Sequence, residues 1–336
     1  KDCMIIAFGC CCHQEFEQPL WDDILSQGPD LWIWLGDNIY GDSEDMSVMR
    51  AKYNQNKSNP LYQQLVKSTQ VIGTWDDHDY GMGDGGKRFS MKAESQQEHL
   101  DFLDVPPDDI RRTREGVYNS YLLSRKAIAN VKVILLDTRY FRSPLTPATE
   151  KGKRYKPNDY GEGTMLGEAQ WGWLQDELKR GADYNVIMSS VQLLSAEHGF
   201  ETWGNFPHEV DRFEKLLQET KANNVIVLSG DRHISEFSKK LICFSTKLKS
   251  ISCSIKIEKI NRSIVALTLF KYAILSNFFS SNKSLKILFL ELLCINKILF
   301  LILFDKLYLY KKNSLLSELS INKIERSKVV SSLIKI

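Results

Sequence analysis

The last 96 residues of this 336-residue chain contain no glycine, proline, tryptophan or histidine. All 19 Gly, 9 Pro and 7 Trp lie at or before Gly230, and all six His at or before His233. At ordinary usage, about a dozen Gly and Pro would be expected in such a stretch. Turns are built from those residues, so the tail does not read as an ordinary domain. Its charge departs as well. Residues 241–336 carry 16 Lys+Arg against 5 Asp+Glu, a net of +11, while the first 240 residues carry a net of −9. We therefore expect a folded domain over 1–240 and a basic appendage over 241–336 that is not native to it. A translated intron, a frameshift or an AT-rich extension would give this composition, and an all-helical appendage is the other reading. The tail has no Arg clusters and no interleaved aromatics, so no nucleic-acid partner is expected.

Other shortages narrow the class further. The seven Cys include no CxxC pair, which removes the usual signature of a structural zinc. Cys10, Cys11 and Cys12 are contiguous, and disulfide geometry disfavours pairing between chain neighbours. The chain begins at Lys1 without a visible leader, so it reads as a fragment or a processed form. The most apolar tail segment, 285–304, is broken by Lys286, Glu291, Asn296 and Lys297. A spanning helix wants about 20 apolar residues in a row.

What is present is a globular balance, 43% hydrophobic and 26% charged. Short apolar runs recur: MIIAF (4–8), LWIWL (31–35), VIGTW (71–75), VKVILL (131–136), VIMSSV (186–191) and VIVL (225–228). Continuous apolar runs of this length fit strands buried on both faces. Amphipathic stretches, such as 166–180 and 207–222, lie between them. The alternation predicts an α/β fold with central sheets.

Each run is followed by polar chemistry: GCCCHQ, GDNIYGD, DDHD, DTR, a Gln with EHGF, and SGDRHISE. In open α/β sheets, ligands bind beyond the carboxyl ends of the strands. Six such junctions imply one convergent site rich in carboxylate, imidazole, thiol and phenol. A cation would offset the repulsion among Asp37, Asp77 and Asp231. Thiolate and phenolate suit a transition metal, and carboxylates suit a harder divalent ion. Two metals about 4 Å apart can activate a water and stabilise in-line displacement at phosphorus.

The segments FGCCCHQ, LGDNIYGD, GTWDDHDYG, LDTRYFR, LGEAQWGWL and SGDRHISE, in order from about residue 4 to 238, resemble the PhoD-like alkaline phosphatases of the metallophosphoesterase superfamily. The resemblance implies a four-layer αββα sandwich and hydrolysis of phosphomonoesters or phosphodiesters. It implies a cofactor of Fe(III) with Ca(II) or another divalent metal, and a secreted or periplasmic location. The ligands fall on Cys11, Asp37, Tyr40, Asp77, Asp231 and His233, with Asp37 bridging. His78 takes the place beside the scissile oxygen, and Arg139 reads as a phosphate clamp because guanidinium matches phosphate oxygens. His198, in the segment SAEHGF, reads either as a substrate contact or as a structural histidine. The implied substrate is a small phosphate ester or a phospholipid, with no obligate protein partner. A truncated or mis-spliced, inactive relative is the alternative.

This chain departs from the family pattern at Cys10, where Ser is usual, and at Gly83, where Asn is frequent. Resemblance stops near Lys239. Cys10 and Cys12 read as packing residues, and Asp76 and Asp79 as support for His78. Asp42, Glu44 and Asp45 read as a solvated loop or helix start. His99, on a helix face, has no assigned role.

Overall fold

The structure, a computed structural model, describes residues 4–124, 129–234, 236–241, 263–268 and 330–335. Its strands are β1 (Ile5–Cys10), β2 (Leu31–Leu35), β3 (Gln70–Thr74), β4 (Asn119–Ser124), β5 (Asn130–Leu135), β6 (Thr146–Pro147), β7 (Tyr155–Lys156), β8 (Tyr184–Met188), β9 (Val225–Ser229), β10 (Glu236–Leu241), β11 (Ser263–Thr268) and β12 (Val330–Lys335). The helices are α1 (Trp21–Gln27), α2 (Met46–Lys57), α3 (Pro60–Ser68), α4 (Asp77–Tyr80), α5 (Lys92–Phe102), α6 (Gly167–Lys179) and α7 (Pro207–Thr220). The fold is mixed α/β.

Two larger sheets organise it. The first has the order β12-β1-β2-β3 and the second β10-β11-β9-β8-β5-β4; β6 and β7 form a small ribbon. Within the first sheet β1, β2 and β3 run parallel. Within the second β5, β8, β9 and β11 run parallel, with antiparallel β4 and β10 at its edges. Parallel strands need crossovers, and the helices supply them.

Residue alternation explains the apolar runs. Side chains along a strand point to opposite faces. Ile6, Phe8 and Cys10 of β1 join Leu31, Ile33 and Leu35 of β2, together with Val131, Val133 and Leu135 of β5, in one core that draws on both sheets. The intervening Ala7, Trp32 and Trp34 face a second core, with Trp21 of α1, Met49 and Tyr53 of α2, and Tyr62 and Leu65 of α3. On the second sheet, Ile134 and Ile187 pack against Trp171 and Leu174 of α6 and Phe213 and Leu217 of α7. Both faces of the strands are apolar because both faces are covered.

The tail 241–336 lies almost wholly outside the described residues. What is described beyond Leu241 is two strands. β12 pairs antiparallel with β1, and β11 lies between β9 and β10. No helix among the described residues is long and apolar enough to cross a membrane.

One buried group makes the fold sensitive to acid. His99 of α5 is fully buried, within 3.4 Å of the Tyr53 hydroxyl. Burial, helped by the Arg111 charge, lowers its pKa to about 3. The unfolded chain therefore binds a proton near pH 6.5 that the folded chain refuses. Stability from this site is complete above pH 6.5 and is lost as pH falls toward 3. We predict that the urea midpoint drops between pH 6.5 and 4.5, and that His99→Gln flattens this slope. An unchanged slope in the variant would refute the assignment.

Candidate metal centre

The functional side chains stand where strands end, on backbone that few residues adopt. Cys11, Asp37, Asp42, Asp231 and His233 all have positive φ, between 49° and 62°. Non-glycine residues are uncommon there, and such strain collects at functional sites. The loops are tied to one another. The amide of Cys11 donates to the Gly36 carbonyl and that of Cys12 to the Asp37 carbonyl. The amides of Gly41 and Asp42 both donate to the His78 carbonyl. Gly36 has φ +107°, and a Cβ there would lie 2.5 Å from the Asp76 Cβ. Only glycine permits that approach.

Asp79 fixes the central turn. Its buried carboxylate accepts the amides of Asp37 at 3.1 Å, Asn38 at 3.2 Å and Asp76 at 2.6 Å. One side chain thus clamps the loop after β2 to the start of α4. Asp76 and Asp79 were expected to support His78, but neither bonds it: Asp79 holds these amides, and Asp76 accepts from Arg139 and Ser190.

The resulting cluster contains two groups of donor atoms, each within 4.8 Å: Cys11, Asp37 and His233, and Asp37, Asp77 and His78. Asp37 belongs to both. Its Oδ2 lies 3.6 Å from the Cys11 thiol, and its Oδ1 accepts the His78 amide at 3.3 Å. Tyr40 Oη is 2.9 Å from His233 Nε2. Asp77 Oδ2 accepts the Asp84 amide at 2.7 Å. Asp231 joins neither group, yet its Oδ2 is enclosed without a hydrogen-bond partner.

The electrostatics call for a cation. Burial, followed by the charges of Asp77 and Asp76, pushes Asp37 well above the carboxylate range. Burial and the Asp76 and Asp77 charges do the same to Asp231. Burial raises the Cys11 thiol and the Tyr40 phenol. Asp77 moves the other way: burial acts to raise it, but Arg139 and His78 outweigh that and lower it. A metal ion inverts this balance, because its charge favours the ionised form of every ligand. A thiol, imidazoles and carboxylates brought together around Asp37, with the Tyr40 phenol on His233, fit a divalent metal.

Arg139 is a correction. It was expected to clamp phosphate, but it is completely buried. Its Nε and Nη2 donate to Asp76, its Nη1 to Glu201 at 2.6 Å and the Gly85 carbonyl at 3.3 Å. Its Nη2 is also 4.0 Å from Asp77. The guanidinium is engaged in the interior with carboxylates and a backbone carbonyl. Asp42 is the residue sequence reasoning missed. It is an exposed loop residue, as expected, but it has a partner there: both its oxygens lie 2.8 Å from His78 Nδ1. Burial lowers the His78 pKa, but the Asp42 hydrogen bond and the Asp77 charge outweigh it, so the net shift is upward. The pair of Asp and His at one strand-end edge was legible, but their partnership was not. His198 stands apart from the donor groups, beside Phe200.

An α/β framework with two donor groups sharing one carboxylate belongs to the class of folds that cradle divalent metal. A family model described as PhoD-like phosphatase matches residues 6–264, and the chain belongs to that family. Alkaline phosphatase D of Bacillus subtilis (strain 168) is 23% identical over 243 residues, which is 64% of this chain and 40% of that protein. A solved structure, described as the structure of PhoD, matches with a TM-score of 0.62 and 19% identity, covering 82% of this chain and 57% of that one. This chain therefore spans less than two thirds of either relative.

The role found for Arg139 is testable. Arg139→Met strands Asp76 as a buried, uncompensated charge and leaves Glu201 with Arg142 alone, 2.7 Å away. We predict a loss of about 3–5 kcal/mol in urea unfolding. A variant of wild-type stability would restore the clamp reading.

Proposed function

We propose that this chain hydrolyses phosphoric esters, monoesters or diesters, in the manner of a metal-dependent phosphatase. The observation that carries this reading is Asp37, shared by two donor groups at the edge where the strands end. Cys11, Tyr40 and His233, with Asp37, would hold one metal, and Asp37, Asp77 and Asp231 a second. Fe(III) suits the thiol and phenol side, and Ca(II) or another divalent ion the carboxylate side. When bound, such ions supply a water activated for in-line attack and neutralise charge developing on the phosphoryl oxygens.

The protein's own part in the reaction is proton delivery and positioning. Asp42 holds His78 by Nδ1, which leaves Nε2 as the ring position for donating a proton to the departing oxygen. Asp79 keeps the Asp37 turn in place, and Arg139 keeps Asp76 and Asp77 from repelling one another. His198 would contact the substrate away from the metals. Small phosphate esters and phospholipid headgroups both suit the open edge. The four-layer αββα arrangement, with helices outside two facing sheets, is our reading of the three cores and is supported by how the strand residues divide between them. We place the main body of the catalytic domain before about residue 240, with β11 and β12 beyond it pairing into its two sheets.

The test is hydrolysis of para-nitrophenyl phosphate by protein supplied with iron and calcium. Asp37→Ala should lower kcat/KM by a factor of about 1000 or more, as loss of a metal ligand does. Asp42→Asn should lower kcat by roughly 10²-fold with little change in KM. Activity that survives Asp37→Ala would end the assignment.

A further inference from the structure

With Arg139 withdrawn into the interior, another cation stands at the edge of the site. Arg232 lies between the proposed ligands Asp231 and His233 in sequence. Its guanidinium carbon lies 3.9 Å from the centroid of the Phe200 ring. Stacking occupies the face of a guanidinium and leaves its in-plane N–H donors for hydrogen bonding. The Arg232 Nε is enclosed yet has no hydrogen-bond partner.

A second donor lies beside it. The amide of Phe200 donates to His198 Nδ1 at 3.1 Å. In a neutral ring the proton is then on Nε2, and that atom is also enclosed without a hydrogen-bond partner. Burial and the Arg232 charge hold the His198 pKa below its ordinary value, against Glu236 and the Ser195 carbonyl. Arg232 Nε has no acceptor, and the His198 ring has only the Ser195 carbonyl beside it; N–H donors so placed around one aromatic ring are poor packing unless something more accepts from them. The neighbouring acid does not fill that role: the oxygens of Glu236 accept from Gln192 at 3.2 Å and Ser238 at 2.6 Å.

The direction of Arg232 separates this place from the metal cluster. Asp231 precedes Arg232 in the chain, yet the cation that most eases its burial is Arg139. The Arg232 charge is turned toward Phe200 and His198 instead.

We infer that Arg232 and His198 form a subsite for a second anionic group of the substrate, apart from the phosphate that is cleaved. This rests on the esterase reading above and narrows it to phosphate esters that carry another phosphate or similar anion. Binding, measured by isothermal titration calorimetry on the metal-loaded full chain, tests it without turnover. Two probes are used, inorganic phosphate and pyrophosphate. Arg232→Met should weaken pyrophosphate by about tenfold or more, as loss of charge-assisted hydrogen bonds does, and leave phosphate unchanged. Lys67→Met, on an exposed face of α3, is the control and should change neither. His198→Ala should weaken pyrophosphate by roughly threefold and serves if Arg232→Met fails to fold. Equal weakening of both probes would place Arg232 at the cleaved phosphate and overturn the inference. No weakening of either would overturn it as well. Because the readout is affinity, an inactive chain that still discriminates the two probes would refute the esterase reading alone.

Discussion

The structure depends on one electrostatic constraint: carboxylates packed at the ends of strands must be compensated. Asp37, Asp76, Asp77, Asp79 and Asp231 occupy one buried region, and their charges raise one another's pKa values. Isolated buried charge is among the costliest things a protein can contain. This chain answers it in two ways. Arg139 neutralises Asp76 and Glu201 from within. Asp79 accepts three backbone amides. Asp37 and Asp231 keep raised pKa values in spite of both.

The same constraint accounts for the backbone. Parallel strands buried on both faces must end abruptly, and their first polar residues turn through positive φ at Cys11, Asp37 and Asp231. Those conformations are tolerable because hydrogen bonds between successive loops hold them. The cores behind the strands supply the stiffness. Trp21, Trp34 and Tyr62 pack with centroids 5.2–5.8 Å apart, and Trp34 Nε1 donates to the Tyr62 hydroxyl at 3.1 Å. A site whose ligands must converge within a few ångströms needs such support.

Much of this was legible in the sequence. LWIWL is β2 to the residue, and VIVL and VKVILL fall within one residue of β9 and β5. Runs buried on both faces announce themselves because apolarity has no gaps. VIMSSV ran too far: β8 ends at Met188 because Ser189 and Ser190 already belong to the turn. The strand β4, partly exposed along its length at a sheet edge, left no such run and was not seen. Within the site, residue types at strand ends were readable, but partnerships were not. Asp42 finds His78 across 36 residues, and Arg139 finds Asp76 across 63. Arg139 read as a clamp because its motif shows an arginine near a phosphate site and cannot show the carboxylates that surround it.

Chelation tests most directly whether a cation completes this charge balance. Carboxylates whose folded pKa is raised cost nothing while protonated and cost more as pH rises through their folded values. The contribution of these carboxylates to metal-free protein should therefore fall as pH rises above the ordinary carboxylate range, whereas in metal-loaded protein it should not. Thermal melting of the iron- and calcium-loaded chain, with and without EDTA, should show a loss of about 5–10 °C at pH 8 and a smaller loss at pH 5. Melting curves that EDTA leaves unchanged at both pH values would contradict it.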